Sequence, residues 1–566
     1  MAADWHDLVS QPKYKLKVEK NVMVPMRDGT RIAIDIYHPD ARGKFPALLS
    51  TANYSKDVQA LPIPKGTPID FRLGNGGIEA GNSEYFVSRG YVHVNADARG
   101  TGFSEGQYGF LGRKEQEDGY DLIEWMAKQP WCSGNVGMLG MSYFAMIQYL
   151  IAGLNPPHLK AIFPFEGTHD IYRSFCYHGG IFDFGFFFQW WPHLTAHTME
   201  PLDMPPAEFK RRVEEMLKNE DVLGHPNIYI PLVWQDRNPI MLYPCIQPYD
   251  GPYYQERSGY TKFDKIKIPT YCLSRWTTWL FHLPGALAAY NGINAPKKLT
   301  IGLPEASGKD KYVFSVGRPW FEGHDVILRW YDHWLKGIDT GIMEEPPINI
   351  LVQGTDKWRY ENEWPLARTK WTKFYLRQGG KLNQTPSSSG EEPESFVNKP
   401  TVKPSEKVPQ LQYVTEPLAR DLEITGPSAF YFNASLSNPD ANWMVEIHDI
   451  SPDGSRRLVT MGWLKASHRE LDVAKSKPYQ PYHPHTRSLP VEPGKIYEYA
   501  IDVRETSNVF QAGHRMQLIV KGQDSPYEGP EHFRETHYHL LNMKETKHTI
   551  YHTPQYQSYL LLPVIP

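Results

Sequence analysis

Residues 135–145 carry the feature that most restricts how this chain can fold. An apolar stretch leads into Gly140-Met141-Ser142, and the residues that follow have a helical period. A glycine two positions before a serine, between a strand and a helix, is typical of the sharp turn that lifts a serine hydroxyl above a parallel sheet. The pattern therefore predicts an α/β fold with Ser142 at the carboxyl edge of its sheet.

The segments on either side of this turn repeat the signals of strands and helices. Asp28-Gly29 predicts a hairpin, because this pair accepts the positive φ angles that tight hairpins need. Continuous apolar runs are typical of strands covered on both faces. The predicted elements are strands at 31–37, 45–51, 90–97 and 159–165, with a helix at 119–129. This alternation predicts a doubly wound α/β sheet.

The alternation stops after residue 166, and the chain divides into four predicted segments. Residues 1–166 form the first part of the core, and residues 167–255 form a helical, aromatic-rich cap. Residues 256–369 return to strand and helix signals and complete the core. From residue 370 to 566, strand-like segments separated by turn residues predict an antiparallel β-sandwich of the jelly-roll type.

Composition excludes several classes of partner. A net charge of −4 and a pI of about 6.6 give no overall attraction to nucleic acid or to anionic membranes. No apolar run approaches the roughly 20 residues that cross a bilayer. The four cysteines are widely spaced, and the first residues lack the layout of a signal peptide. We expect a cytoplasmic protein with a small-molecule substrate, no cofactor, no metal, and no nucleic-acid or membrane partner.

Motifs along most of the chain resemble one known family. In chain order they are Pro25-Met26-Arg27-Asp28-Gly29-Thr30, Asn53-Tyr54-Ser55-Lys56, Asp97-Ala98-Arg99-Gly100-Thr101-Gly102, Gly140-Met141-Ser142-Tyr143 and Gly513-His514-Arg515. Their order and spacing resemble the family of cocaine esterase and the X-Pro dipeptidyl-peptidases (CocE/NonD-like hydrolases). The resemblance implies a hydrolase core, a helical cap and a jelly-roll domain, and it is compatible with a homodimer.

The resemblance also implies roles for three residues around the turn. Ser142 matches the position of the nucleophile. The backbone N–H of Tyr143 and the hydroxyl of Tyr54 match the donors that stabilise the oxyanion of an acyl-transfer reaction.

The chain departs from the family where the other two members of a catalytic triad belong. Thr278 occupies the position of the acid and Ala306 that of the histidine. A serine hydroxyl needs a base near neutral pH, so another residue must fill that role if the serine is a nucleophile. The sequence leaves three candidates open, which are His282, His324 and Glu305.

Aromatic residues of the cap indicate a bulky hydrophobic ligand. Closely spaced rings that cannot all face one core are expected in part to line a pocket. We predict substrate contacts from Phe182, Phe186, Phe187, Trp190 and Trp191 in the cap and from Trp276 in the core. The cap histidines, among them His178, have no spacing with carboxylates that indicates a metal site.

Three functions remain open at this stage. The first is a serine hydrolase that cleaves an ester or amide through Ser142 with a non-standard base. The second is a repurposed hydrolase fold that catalyses a cyclisation, an isomerisation or a C–C cleavage in secondary metabolism. The third is an inactive binding protein.

Overall fold

The structure is a computed structural model of the chain. It describes residues 5–60, 79–186, 204–224, 228, 232–233, 242–302, 318–355, 357–388, 390–400, 407–524 and 539–566, with the side chains of 318–323 excepted.

The first half of the chain forms a mixed sheet. Within the described residues it has ten strands in the order β1-β2-β4-β3-β5-β6-β9-β10-β11-β12, and the pairs from β4 to β11 are parallel. Its strands are β1 Leu16–Pro25, β2 Arg31–Pro39, β3 Phe45–Ala52, β4 Val92–Asp97, β5 Cys132–Met138, β6 Leu159–Ile162, β9 Thr270–Ser274, β10 Lys297–Ile301, β11 Ile348–Val352 and β12 Lys357–Glu361.

Helices cover both faces of this sheet. One hydrophobic cluster includes Leu122, Ile147 and Leu283, and a second on the other face includes Phe86 and Leu328. The core helices are α1 Lys56–Gln59, α2 Ser83–Ser88, α3 Arg113–Ala127, α4 Tyr143–Ala152, α9 His282–Gly292 and α10 Arg318–Lys336. The predicted α/β-hydrolase architecture is confirmed.

Helix α3 begins earlier than the sequence pattern predicts. Its first turns contain Glu115 and Asp118, which are charged residues that hydrophobic periodicity assigns to a loop. Both are buried, because Glu115 contacts Tyr143 and Asp118 is paired with Arg99. Tertiary contacts thus extend the helix beyond its apolar stripe.

The described part of residues 167–255 combines helices with a hairpin. A π-helical turn at Tyr172–Cys176 leads into the hairpin of β7 (Tyr177–His178) and β8 (Ile181–Phe182). The helices are α5 Pro206–Met216, α6 Glu220–Leu223, α7 Tyr243–Ile246 and α8 Pro252–Glu256, and a 3₁₀ helix at Gly259–Lys265 follows.

The rest of the chain forms a second, almost entirely antiparallel sheet that closes on itself. The described strands are β13 Lys370–Arg377, β14 Lys381–Asn383, β15 Glu394–Asn398, β16 Gln410–Val414, β17 Leu422–Leu436, β18 Asn442–Ile450, β19 Arg456–Lys465, β20 Tyr497–Phe510, β21 Arg515–Lys521, β22 Thr546–Tyr551 and β23 Tyr559–Ile565. The long strand β17 pairs with β20, β22 and β23, and its pairing with β23 closes the sheet. The register of β17 shifts against β20 between Gly426 and Ser428 and against β23 between Ile424 and Ala429. The predicted β domain is confirmed, and its sheet is one closed barrel.

No helix in the described part of the chain is long and apolar enough to cross a membrane.

Candidate active site

Ser142 stands at the turn between β5 and α4, and its backbone is strained. Its φ of 59° and ψ of −115° lie outside the regions that residues with a Cβ normally occupy, which costs of order 1–3 kcal/mol. Two hydrogen bonds hold the turn, from the Ser142 N–H to the Phe165 carbonyl at 3.1 Å and from the Met141 N–H to the Glu79 carbonyl at 2.9 Å. Glycine is required at Gly140, where an added Cβ would lie 2.2 Å from a neighbouring side chain. The surrounding strands therefore maintain this strained, half-buried serine.

Hydrogen bonds hold the side chain of Tyr143 in place, and the backbone of this residue belongs to the serine turn. Its hydroxyl donates to Glu115 at 2.9 Å and accepts from the Tyr108 hydroxyl at 3.0 Å and from the Leu111 N–H at 3.2 Å. Burial raises the pKa of Glu115 to about 7. The N–H of Tyr143 is the first of helix α4, and such groups have no partner within their own helix. Its position agrees with the predicted role as an oxyanion donor.

Tyr54 lies just past the carboxyl end of β3, next to the serine turn. Its ring centroid is 6.0 Å from that of Tyr143 and 6.0 Å from that of Phe144. The preceding residue, Asn53, is 5% exposed, and neither polar atom of its amide has a hydrogen-bond partner in the described part of the chain. A buried amide left unpaired is costly, so Asn53 is a group that a ligand could satisfy.

Thr278, which the sequence resemblance predicts at the position of the acid, forms internal hydrogen bonds. Its hydroxyl donates to the Arg275 carbonyl at 3.0 Å and lies 3.2 Å from Ser274 Oγ. The Arg275 guanidinium donates to Glu166 at 2.8 Å, and both side chains are buried. This loop is thus tied to the end of β6 by an ion pair.

The two described histidine candidates contact two different segments that continue from residues bonded to the turn. Nδ1 of His282, at the start of α9, lies 3.0 Å from Thr168 Oγ1. Nε2 of His324, on α10, accepts a hydrogen bond from the Asn82 N–H at 3.0 Å. Thr168 follows the strand end that binds Ser142, and Asn82 follows the segment that binds Met141. Glu305 and Ala306 lie outside the described residues.

A series of aromatic contacts joins the serine turn to His282. Successive ring centroids lie 5.6–6.1 Å apart, which is the usual spacing of packed rings. Phe186 contacts the same series, 4.3 Å from Phe281. The series, which we call the aromatic wall, consists of Tyr143, Phe110, Phe175, Phe281 and His282.

Other aromatic residues predicted to bind substrate lie elsewhere or outside the described residues. The indole of Trp276 donates to the Leu351 carbonyl at 2.6 Å and packs against Trp364, so these contacts place it beside β11. Phe182 packs on Tyr177 and Phe184 in the hairpin. The remaining residues, Phe187, Trp190 and Trp191, are not among those that the structure describes.

Glu79 is a residue of the site that the sequence did not indicate. It is 8% exposed, and its Oε2 atom has no partner among the described residues. Burial raises the pKa of its carboxyl group to about 8, so the group is protonated near neutral pH. Its backbone carbonyl binds the serine turn, a contact across the sheet that carries no local sequence signal.

The molecule is thus an α/β-hydrolase-fold protein with a serine at the nucleophile position and a C-terminal β domain. Residues 28–304 match the family model of the X-Pro dipeptidyl-peptidase (S15 family), and residues 340–561 match that of the X-Pro dipeptidyl-peptidase C-terminal non-catalytic domain. Together the two matches span most of the chain. The chain belongs to the family of cocaine esterase and the X-Pro dipeptidyl-peptidases, whose members are hydrolases.

Individual relatives agree with this assignment. The cocaine esterase of Rhodococcus sp. (strain MB1 Bresler) is 28% identical, over 97% of this chain and 98% of its own. A putative Xaa-Pro dipeptidyl-peptidase of Bacillus anthracis is 23% identical, over 88% and 82%. A CocE/NonD family hydrolase from Staphylococcus aureus, known as a crystal structure, has the same fold with a TM-score of 0.78, at 24% identity over 97% and 94%.

Proposed function

We propose that this protein is a serine hydrolase that cleaves an ester or amide of a bulky hydrophobic small molecule through an acyl-Ser142 intermediate. The observation that carries the proposal is the strained backbone of Ser142 at a turn anchored by two neighbouring segments. Strain of this kind persists where the surrounding structure holds a reactive group in place. The hydrolases among its relatives support the same class of reaction.

In the proposed reaction, Ser142 Oγ attacks the substrate carbonyl and its proton passes to a base. The negative charge that develops on the carbonyl oxygen is stabilised by the Tyr143 N–H and the Tyr54 hydroxyl. The base returns the proton to the leaving group as the C–O or C–N bond breaks. Water then attacks the acyl-Ser142 ester, and its proton follows the same route back to the serine.

We assign the base to His282. In the tautomer whose Nδ1–H donates to Thr168 Oγ1, the imidazole lone pair is on Nε2, and Thr168 would orient the ring in place of the usual acid. His324 is less suited to the role of base, because its Nε2 lone pair already accepts a hydrogen bond from the Asn82 N–H. Glu305 stays a candidate from the sequence alone.

The absence of an acid at position 278 predicts slow turnover. A carboxylate in a triad stabilises the imidazolium that forms during attack, and replacing it with a neutral group lowers kcat by roughly 10⁴-fold in a serine protease. A hydroxyl such as that of Thr168 can orient the ring but supplies no negative charge. We therefore expect an enzyme suited to activated or slowly consumed substrates.

The aromatic wall and the buried Asn53 amide, which has no hydrogen-bond partner among the described residues, support the substrate class. Apolar rings beside the nucleophile favour a bulky hydrophobic acyl group, and one buried amide supplies a polar contact that fixes its orientation. The non-hydrolytic alternative is motivated by Thr278 and Ala306 at the predicted positions of the acid and the histidine and by the aromatic cap. The relatives, named as esterases and peptidases, give it no support.

The test is a pre-steady-state burst with p-nitrophenyl esters whose acyl groups increase in size from acetyl to naphthoyl. We expect p-nitrophenol equal to the enzyme concentration in the burst, a naphthoyl adduct on Ser142 by intact mass, and a preference for the larger acyl group. Ser142→Ala should lose at least about 10³-fold in turnover. The control Ser133→Ala removes an exposed serine at the start of the same strand and should retain activity. Full activity of Ser142→Ala would falsify the proposal.

A further inference from the structure

Two histidines and an aspartate from distant parts of the chain meet in the interior, between the cap and the β domain. His178 ends strand β7, and Asp183 follows strand β8 and forms a β-bridge with His539. All three residues are buried, with 0%, 0% and 1% exposure. One ligand atom from each lies within 4.8 Å of the other two.

The two imidazole rings face each other through nitrogen atoms. His178 Nδ1 lies 2.8 Å from His539 Nε2, and Asp183 Oδ2 lies 4.0 Å from His178 Nδ1. Two ring nitrogens this close repel each other if both present lone pairs, so either the hydrogen of an N–H group or a metal ion lies between them.

The outer nitrogens of both rings are bound to acceptors. His178 Nε2 lies 3.0 Å from the Leu280 carbonyl, and His539 Nδ1 lies 2.7 Å from Asp524 Oδ2. Metal-binding histidines usually donate their second N–H to a carbonyl or a carboxylate, which fixes the ring and directs the other lone pair inward. Both rings have this arrangement, so each can present a lone pair from its inner nitrogen.

The charge of the surroundings also favours a cation. Asp183 and Asp524 bring two carboxylates into a buried region, where uncompensated negative charge is costly. A divalent metal ion would supply the positive charge that balances them.

We propose that His178 Nδ1, His539 Nε2 and the Asp183 carboxylate bind a zinc ion. Nitrogen and carboxylate donors suit zinc, which takes three protein ligands and a fourth from water in open sites. Tetrahedral coordination requires the two nitrogens to be about 3.3 Å apart, so a small outward movement of the rings admits the ion.

Such a site would join three parts of the molecule. His178 belongs to the cap hairpin, His539 belongs to the β domain, and Leu280 lies in the core loop that leads into His282. A bound ion would fasten the cap and the β domain to each other beside the wall of the proposed active site. We therefore expect the ion to stabilise the assembly of the three parts.

The experiment uses the full-length protein, stripped with a chelator and then dialysed against zinc chloride. We expect about one zinc per chain by elemental analysis. His539→Gln and Asp183→Asn should lower the affinity for zinc by more than about 100-fold, since even a residue that only supports a ligand contributes 10- to 100-fold. His485→Gln is the matched control. It alters a second buried histidine pair, His468 and His485, whose Nδ1 atoms are 3.1 Å apart and which forms no three-ligand group with a carboxylate among the described residues.

Cobalt keeps the test decisive if a variant fails to fold. Wild-type protein loaded with cobalt should show the intense visible absorption of a four-coordinate nitrogen and oxygen site, and zinc should displace it. Zinc in the wild type at less than a tenth of the protein concentration would overturn the proposal and leave a proton between the rings. Equal zinc affinity of His539→Gln, Asp183→Asn and wild type would overturn it as well.

Discussion

Two segments of the proposed active site, the serine turn and the loop after β9, differ in whether their buried polar groups have hydrogen-bond partners. On the side of the serine turn, the backbone of Ser142 is strained, and Asn53 and Glu79 each keep a buried polar atom without a partner among the described residues. In the loop after β9, where Thr278 lies, Arg275 forms a buried ion pair with Glu166. The serine turn has features that suit a ligand, and the loop after β9 is held by a structural contact.

This difference indicates which part of the catalytic machinery the chain has kept. A buried polar atom without a partner calls for an explanation, and contact with a ligand is one such explanation. The loop after β9 carries Thr278 where the resemblance predicts a carboxylate, and the ion pair between Arg275 and Glu166 fixes this loop. We infer that catalysis rests on the serine turn, with a base supplied from the start of α9.

Removing the ion pair between Arg275 and Glu166 tests whether the loop after β9 has a structural role. Arg275→Ala leaves the buried Glu166 carboxylate without its partner, so we expect a loss of about 3–5 kcal/mol in the free energy of unfolding. The measurement is chemical denaturation. As a control, Arg113→Ala removes an exposed ion pair with Glu117 and should cost less than about 1 kcal/mol. Equal costs for the two variants would contradict a structural role for the loop.

Replacing the tyrosine hydroxyl tests the catalytic role of the serine side. In Tyr54→Phe, one donor to the oxyanion is lost, and we expect kcat to fall by about 10²–10³-fold with little change in KM. Steady-state kinetics on the naphthoyl ester measures both constants. Tyr108→Phe, which removes a hydroxyl bonded to the Tyr143 side chain, is the comparison and should leave kcat within about 10-fold. If the two variants lost activity equally, Tyr54 would be a packing residue.

The buried carboxyl group of Glu79 should make stability depend on pH. Its pKa is raised to about 8 in the folded protein, so above pH 4.5 the unfolded chain ionises while the folded chain keeps the proton. Stability therefore falls as pH rises from about 4.5 to about 8, by up to about 1.4 kcal/mol per pH unit. Glu79→Gln should remove this part of the pH dependence in denaturation curves. Parallel curves for the variant and the wild type would show that the group ionises freely.

Local sequence patterns predict the serine side better than the rest of the site. The strand, turn and helix around Ser142 are contiguous, so glycine placement and periodicity indicate the turn, and the family resemblance adds Tyr54 and Tyr143. Glu166 and Glu79 contact residues that are far from them in the chain, and no local sequence pattern predicts such contacts. His178 and His539 are separated by 361 residues, so spacing cannot reveal that they meet.

The same reasoning explains the differences in fold. Apolar runs predict the parallel strands, since those strands are buried on both faces. Closure of the β domain depends on Gly426 and on pairing between β17 and β23, which are long-range features. The start of α3 depends on buried partners of Glu115 and Asp118, and hydrophobic periodicity treats those residues as solvent-exposed.

The most direct test of the central claim is intact-mass analysis after treatment with a fluorophosphonate, which labels a serine only when a base activates it. We predict one adduct in the wild type, none in Ser142→Ala, labelling slowed by about 10²–10⁴-fold in His282→Gln, and normal labelling in the matched variant His324→Gln. An unlabelled wild type would contradict the hydrolase mechanism and favour the non-hydrolytic alternative. Normal labelling of His282→Gln would show that the base lies elsewhere.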